Sequence, residues 1–350
     1  MILIQILAIL VGLGFLIFIH ELGHFLSAKF FKVRVLTFAF GFGPDLIKYV
    51  YKGTKYCIKA IPFGGFVAMA GENPDEAKGE KDEYLSLPWY KKVWIAFSGP
   101  FFNYILAVFI FAFIFNIWGV SKISDASAVG TLAENYPAMQ AGLMPGDVIK
   151  SIDGVNITKW TEMSDILKHK AEQDTAFVIE RGTYTFAVNM VVAKNQVTGL
   201  GMIGITPAVI TSKTTFAKSF IYGADAAITQ TIMTIAYLGD KIISGEKPDI
   251  AGPVGVMQVI AKAAKAGIQD YLRLLAVISV ALGLFNLFPI PMVDGGMIVL
   301  FIVEGITRKK IGTKVIQIYN TIGLVLIIAI FLFATYSDLM RLGLGKLFGK

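Results

Sequence analysis

His20, Glu21 and His24 form an HExxH run inside an apolar N-terminal stretch, where ionisable side chains are costly and mark function. On a helix, positions four apart share one face a single turn apart, so both imidazoles can reach one cation. Zn²⁺ held by two His and one carboxylate keeps a position for water and lowers the pKa of that water to about 7. Glu21 stands beside the pair, where it can take the proton. The chemistry implied is hydrolysis. Two of the 3 His in 350 residues fall in this run, and chance would produce such a run about once in a thousand chains of this composition. The plain alternative is a pair of buried, hydrogen-bonded histidines. Against it stands a cost of roughly 2.5 to 3.5 kcal/mol for a charged residue at the centre of a spanning helix. His169 lies in a Lys-rich stretch and reads as a solvated surface residue.

A second cluster interrupts another apolar segment: Asn286, Pro289, Pro291, Asp294, Gly295 and Gly296. Two prolines remove two amide donors and force extended backbone before each, so the helix must break here. Irregular backbone at membrane depth survives only inside protein or beside a wet cavity. Asp294 is therefore the candidate third ligand, the alternative being a proline kink with Asp294 in a capping hydrogen bond. Depth supports the pairing. His20 lies about 27 Å of helix after Ile2, near the inner end of an apolar layer about 30 Å thick, and the interrupted segment reaches its break after a similar length.

With 55% hydrophobic and 16% charged residues and a mean hydropathy of +0.65, the chain reads as an integral membrane protein with soluble parts. The net charge of +7 needs no nucleic acid, because much of it flanks apolar segments and sets orientation. A single Cys57 excludes an intramolecular disulfide and reads as a small buried residue. No Lys or Arg precedes Lys29, and the apolar run from Ile2 to Ile19 exceeds a signal-peptide core of about 7 to 15 residues, so a retained helix is expected.

The fold expected is a polytopic α-helical membrane protein of four transmembrane helices, with a small membrane-associated β-sheet and an inserted extracytoplasmic domain. The spans are 1–28, 93–118, a broken 271–306, and a fourth inside 307–350. Lys29, Lys32, Arg34, Lys91 and Lys92, with Arg308 to Lys314, put the connection 29–92 and the one after 306 in the cytosol; Arg341, Lys346 and Lys350 run weakly against this. Within 29–92, Thr54 to Ala60 and Phe63 to Met69 suggest strands, and Glu72 to Glu83 a solvated linker. Residues 208–270 read as amphipathic interfacial helices, since Lys218 and Asp225 interrupt an apolar pattern.

Between them, 121–207 carries Pro137-Ala138, Ala141-Gly142-Leu143, Gly146-Asp147 and Ile152-Asp153-Gly154, an order that resembles a PDZ domain. Its stretch Ala128 to Leu132 only loosely resembles the usual carboxylate-binding loop.

HELGH, GPxxN at Gly99, Pro100 and Asn103, NxxPxPxxDGG from Asn286, and a PDZ-like insert together resemble the bacterial branch of the site-2 protease family, of the regulator of sigma-E protease type. The likeness runs over nearly the whole chain. It implies an intramembrane zinc metalloprotease acting on pretrimmed single-span proteins such as anti-sigma factors and signal-peptide remnants. It further implies His20, His24 and Asp294 as zinc ligands, Glu21 as general base, and Asn286 holding unwound substrate. Gly64, Gly65 and Phe66 resemble the family's membrane-associated β-loop, and with the segment at Pro289 and Pro291 would offer backbone partners to substrate. The implied setting is the bacterial cytoplasmic (inner) membrane, with lipid as a partner, the PDZ domain extracytoplasmic and the active site toward the cytosol. One PDZ-like domain stands where some relatives have two. A zinc transporter or a noncatalytic PDZ membrane scaffold are the rivals; metal-dependent cleavage separates them from a protease.

Overall fold

The computed structural model describes residues 2–196, 198–245 and 252–341. Lys346 and Lys350, used above for orientation, lie outside them. The chain begins with α1 (Ile2–Phe30), β1 (Val35–Tyr51), β2 (Thr54–Met69), α2 (Trp89–Trp118), β3 (Val120–Ile123), β4 (Val129–Leu132), α3 (Pro137–Gln140), β5 (Val148–Ile152) and β6 (Val155–Asn156). It continues with α4 (Trp160–Lys168), β7 (Asp174–Arg181), β8 (Tyr184–Val191), β9 (Ala193–Lys194), β10 (Gly201–Met202), β11 (Ile205–Pro207) and β12 (Val209–Ser212). It ends with α5 (Phe216–Ser244), α6 (Pro253–Ala266), α7 (Ile268–Asn286), α8 (Asp294–Thr307) and α9 (Thr313–Arg341). Two compact units result: residues 1–115 with 215–350, and residues 116–214.

Among the described residues of the first unit, four helices are long and apolar enough to cross a membrane: α1 from Gln5, α2, α7 and α9. This is the make-up of an integral membrane protein. The interrupted segment breaks as its prolines require: α7 stops at Asn286, α8 starts at Asp294, and Met292 between them takes a left-handed φ of 73°. Gly295 and Gly296 lie so close to the Leu287 and Ile290 carbonyls that a Cβ at either would collide, which lets the break fold back over the start of α8. Helices α1 and α2 meet at Gly23, where an added Cβ would stand 2.8 Å from the Ser98 carbonyl carbon. Small residues at such a crossing let backbones approach without polar cost. Helix α5 packs against α2: Phe220 meets Phe109 at 5.2 Å, Gly223 abuts Val108 and Ala112, and Tyr104 and Thr231 share a hydrogen bond of 3.1 Å.

Strands β1 and β2 are long and bent. Thr37 to Phe40 register with Ala68 to Gly65 in the opposite direction and with Lys55 to Ile58 in the same direction, while Ile47 to Val50 pair with Ile58 to Lys55. Aromatic packing fixes the sheet to α1, with Phe25 and Phe38 stacked at 4.7 Å.

The stretch from Glu72 to Glu83 is mostly exposed, as expected of a solvated linker, but it closes on a buried anchor. Glu83 is 2% exposed and accepts the backbone N–H groups of Lys78, Gly79 and Glu80, while Arg34 pairs with Glu80 and Asp82. Burial pushes its carboxyl up, but those donors outweigh it and hold the group below its ordinary value. Lys92, one of the charges that bracket this connection, is buried instead of solvated. It is 1% exposed, its Nζ lies 2.7 and 2.8 Å from the two Glu304 oxygens, and it sits 4.6 Å from the Phe301 ring centre.

The second unit is built on a four-stranded antiparallel sheet in the order β6-β5-β7-β8, with β4 paired to β11 and β3 to β12. Ile149, Ile152, Phe177 and Ile179 on β5 and β7 meet Met163 and Leu167 of α4 in its core. The Gly-Asp pair acquires a physical reason: Asp147, 1% exposed, accepts from Met144 N–H and from Arg181 Nε and Nη2 at 2.7 to 2.8 Å. Asp153 turns the chain at φ 46° and accepts from Ala176 N–H. His169 caps α4 and is exposed.

Candidate active site

Helix α1 carries His20 and His24 on one face, as four-residue spacing requires, and both are 9% exposed. Their Nε2 atoms lie 3.1 Å apart. The start of α8 brings Asp294 to them, with Oδ2 3.1 Å from His20 Nε2 and Oδ1 3.4 Å from His24 Nε2. The capping alternative for Asp294 is thereby set aside: it is the first residue of α8, behind an N-cap at Val293 that makes no side-chain bond, and its oxygens face the imidazoles. All three donor atoms fall within 4.8 Å of one another, and among the described residues no other His, Cys, Asp or Glu set does so. Cys57 lies apart, buried in the sheet, where burial pushes its thiol up.

This donor set fits a zinc ion. His24 Nδ1 lies 2.8 Å from the Ile95 carbonyl, which can only accept, so Nδ1 carries the proton and Nε2 offers its lone pair. Two imidazole nitrogens aimed at each other beside a carboxylate are what a divalent cation resolves. Helix α2 approaches them at Gly99, where an added Cβ would lie 2.8 Å from His20 Nε2 and closer still to His24 Nε2. Asn103, one turn further on, is 0% exposed and stands 3.1 Å from His20 Nδ1.

The trio opens into a cavity of about 430 Å³ lined by both polar and apolar side chains. Glu21 faces it and accepts from the Val67 N–H at 3.1 Å, so the last run of β2 presents its unpaired edge to the site. Asn286 and Phe66 line the same cavity, and Gly65 backs on the Glu21 side chain, where an added Cβ would lie 3.6 Å from Cγ. The other nominated residues stand outside it. Gly64, at φ 99°, packs on the Phe42 ring; Pro289 is exposed, and Pro291 packs on Gly323 of α9.

Three polar lining residues escaped sequence reasoning: Glu72, Tyr84 and Asn320. Glu72 opens the acidic linker and Tyr84 follows directly after its end. Burial and the carboxylates of Glu72 and Asp294 push the Tyr84 hydroxyl well above its ordinary value, so it stays protonated. Asn320 rides on α9, and its Oδ1 is buried without a partner. A polar residue inside an apolar helix was the available signal.

The model of Peptidase family M50 matches residues 8–330. In Campylobacter jejuni, "Putative zinc metalloprotease Cj1068" is 34% identical, with 97% of this chain and 94% of that protein aligned. A protein of the same description in Clostridium acetobutylicum is 33% identical over 95% of this chain and 96% of its own length. Metalloprotease MmpA of Caulobacter vibrioides is 29% identical over 99% and 98%. Among solved structures, the PDZ domain of an SdrC-like protein from Listeria innocua is 26% identical, covering 24% of this chain and 93% of that one, with a TM-score of 0.22. The chain belongs to Peptidase family M50, the site-2 protease family that its motifs resemble.

Proposed function

We propose that the protein is an intramembrane zinc endopeptidase that hydrolyses peptide bonds within the spanning segments of pretrimmed, single-span membrane proteins, anti-sigma factors and signal-peptide remnants among them. The observation that carries this is the convergence of His20, His24, Asp294 and Glu21 on one cavity among helices long and apolar enough to cross a membrane. Zinc metalloprotease names among full-length relatives support the choice of metal. His20, His24 and Asp294 would hold zinc there, which would supply Lewis acidity toward a carbonyl and toward water. Glu21 takes the water's proton and returns it to the leaving amine. A spanning helix hides its amides in its own hydrogen bonds, so the substrate must unwind first. The open edge of β2 beside Val67 and the carboxamides of Asn286 and Asn320 can satisfy the freed groups, in the manner of strand addition.

The charge pattern puts the connections near residues 75 and 310 in the cytosol and the PDZ-like insert outside the cytoplasmic membrane. The insert then acts on access, excluding substrates that keep a bulky outer domain. Reconstituted with a single-span peptide, the protein should cut it, lose that activity to a chelator and regain it with zinc. Zinc flux into liposomes without cleavage would make it a transporter. Side-specific cysteine labelling in a Cys57→Ser background should find residues near 75 and 310 cytosolic and residues near 165 outside.

A further inference from the structure

Asn103 is fully buried on α2, with its backbone carbonyl held by the Ser279 hydroxyl at 2.8 Å, and its carboxamide faces His20 Nδ1. In the structure Nδ2 is the atom turned toward Nδ1, at 3.1 Å, and Oδ1 is buried with no partner. That orientation conflicts with the chemistry of the site. An amide N–H can only donate, so Nδ1 would have to accept, and the His20 proton would then sit on Nε2, the atom that faces Asp294 and His24. An Nε2 that carries a proton cannot hold a metal. The two ends of a carboxamide are nearly the same size, and a half-turn exchanges them at no steric cost.

We propose that Asn103 is a positioning residue for His20: its Oδ1 accepts from Nδ1–H, and so presents the Nε2 lone pair to zinc. The half-turn gives the orphaned oxygen a donor and makes the two histidines alike. His24 is set by the Ile95 carbonyl and His20 by the Asn103 carboxamide, both on α2. Groups of this kind fix the tautomer and ring orientation of a ligand, and their loss costs about 10- to 100-fold in metal affinity. Together with Gly99, which makes room for both imidazoles, this assigns a task to the Gly-Pro-x-x-Asn run. The assignment rests on the zinc reading above.

The test is zinc affinity of the purified full-length chain by competition with a chromophoric chelator, with thermal unfolding as the check on folding. Asn103→Ala should bind zinc about 10- to 100-fold more weakly, while Asn103→Asp, whose carboxylate can only accept, should restore most of the affinity. Equal affinity in Asn103→Ala, or a folded Asn103→Asp as weak as the alanine variant, would overturn the proposal. If a variant fails to fold, ¹⁵N-histidine spectra of the zinc-loaded wild-type chain decide: a proton on His20 Nδ1 supports it, and one on Nε2 overturns it. A wild-type chain that takes up no zinc overturns the zinc reading as well, an outcome distinct from variants that bind as well as wild type.

Discussion

Helix α8 carries two acidic residues toward the interior, ten positions apart, and they have opposite fates. Glu304 meets Lys92 with both oxygens, beside the Phe301 ring, and each charge has a partner of opposite sign. Asp294 meets two imidazoles that share a cavity with Glu21, and its Oδ2 makes no hydrogen bond. A buried pair whose groups are satisfied holds helices in register. A buried cluster whose donor atoms converge beside a cavity has the form of a binding site. The comparison teaches that burial of charge alone does not mark function; what marks it is the convergence of metal-type donors on a cavity.

The contrast can be broken at either end. The largest effect expected is at the site: Glu21→Gln should lower cleavage by about 10²- to 10⁴-fold, the usual worth of a general base, with zinc content by elemental analysis unchanged. Full activity with the amide would remove Glu21 as base. Next, His20→Ala, His24→Ala and Asp294→Ala should each strip zinc from the purified protein without unfolding it; zinc retained in Asp294→Ala would move the third ligand elsewhere.

At the other end of α8 the effect should fall on stability instead. Lys92→Met strands the Glu304 carboxylate and should cost about 3 to 5 kcal/mol, whereas Lys92→Met with Glu304→Leu should recover most of that loss. Denaturation in detergent measures both, and a single variant as stable as wild type would show that the pair holds nothing. The smallest effect concerns the second unit: replacing about 125–205 by a flexible linker should leave cleavage of a short spanning peptide nearly unchanged and speed that of a substrate with a folded outer domain. Abolished cleavage of the short peptide in a folded, zinc-loaded protein would replace exclusion by a required docking role.

Much of the site was legible because its signals are local. HExxH is a period-of-four pattern on a single helix, and a carboxylate between prolines in an apolar segment announces a break, so His20, Glu21, His24, Asp294 and Asn286 could be named from spacing and resemblance and lie together on one cavity. Glu72, at the start of the linker, and Tyr84, just past its end, were missed because an acidic, Gly-containing stretch has the same composition whether or not a buried glutamate draws its ends inward. The partner of Lys92 was hidden for a similar reason: a lysine at a helix end has the same sequence signature whether it meets water or a glutamate 212 positions away.

The sequence by itself determined that this chain has the make-up of an integral membrane protein, that one helix carries two histidines on one face, and that another must break at Asp294, since hydrophobic length, helical period and proline geometry act over a few neighbouring residues. Only the tertiary structure decided which groups complete the site. Asn103 reaches His20 across 83 positions, the edge of β2 gives Val67 N–H to Glu21 across 46, and α9 delivers Asn320 from the far end of the chain. Such partnerships depend on how helices and a bent sheet pack against one another, and no local pattern encodes that distance.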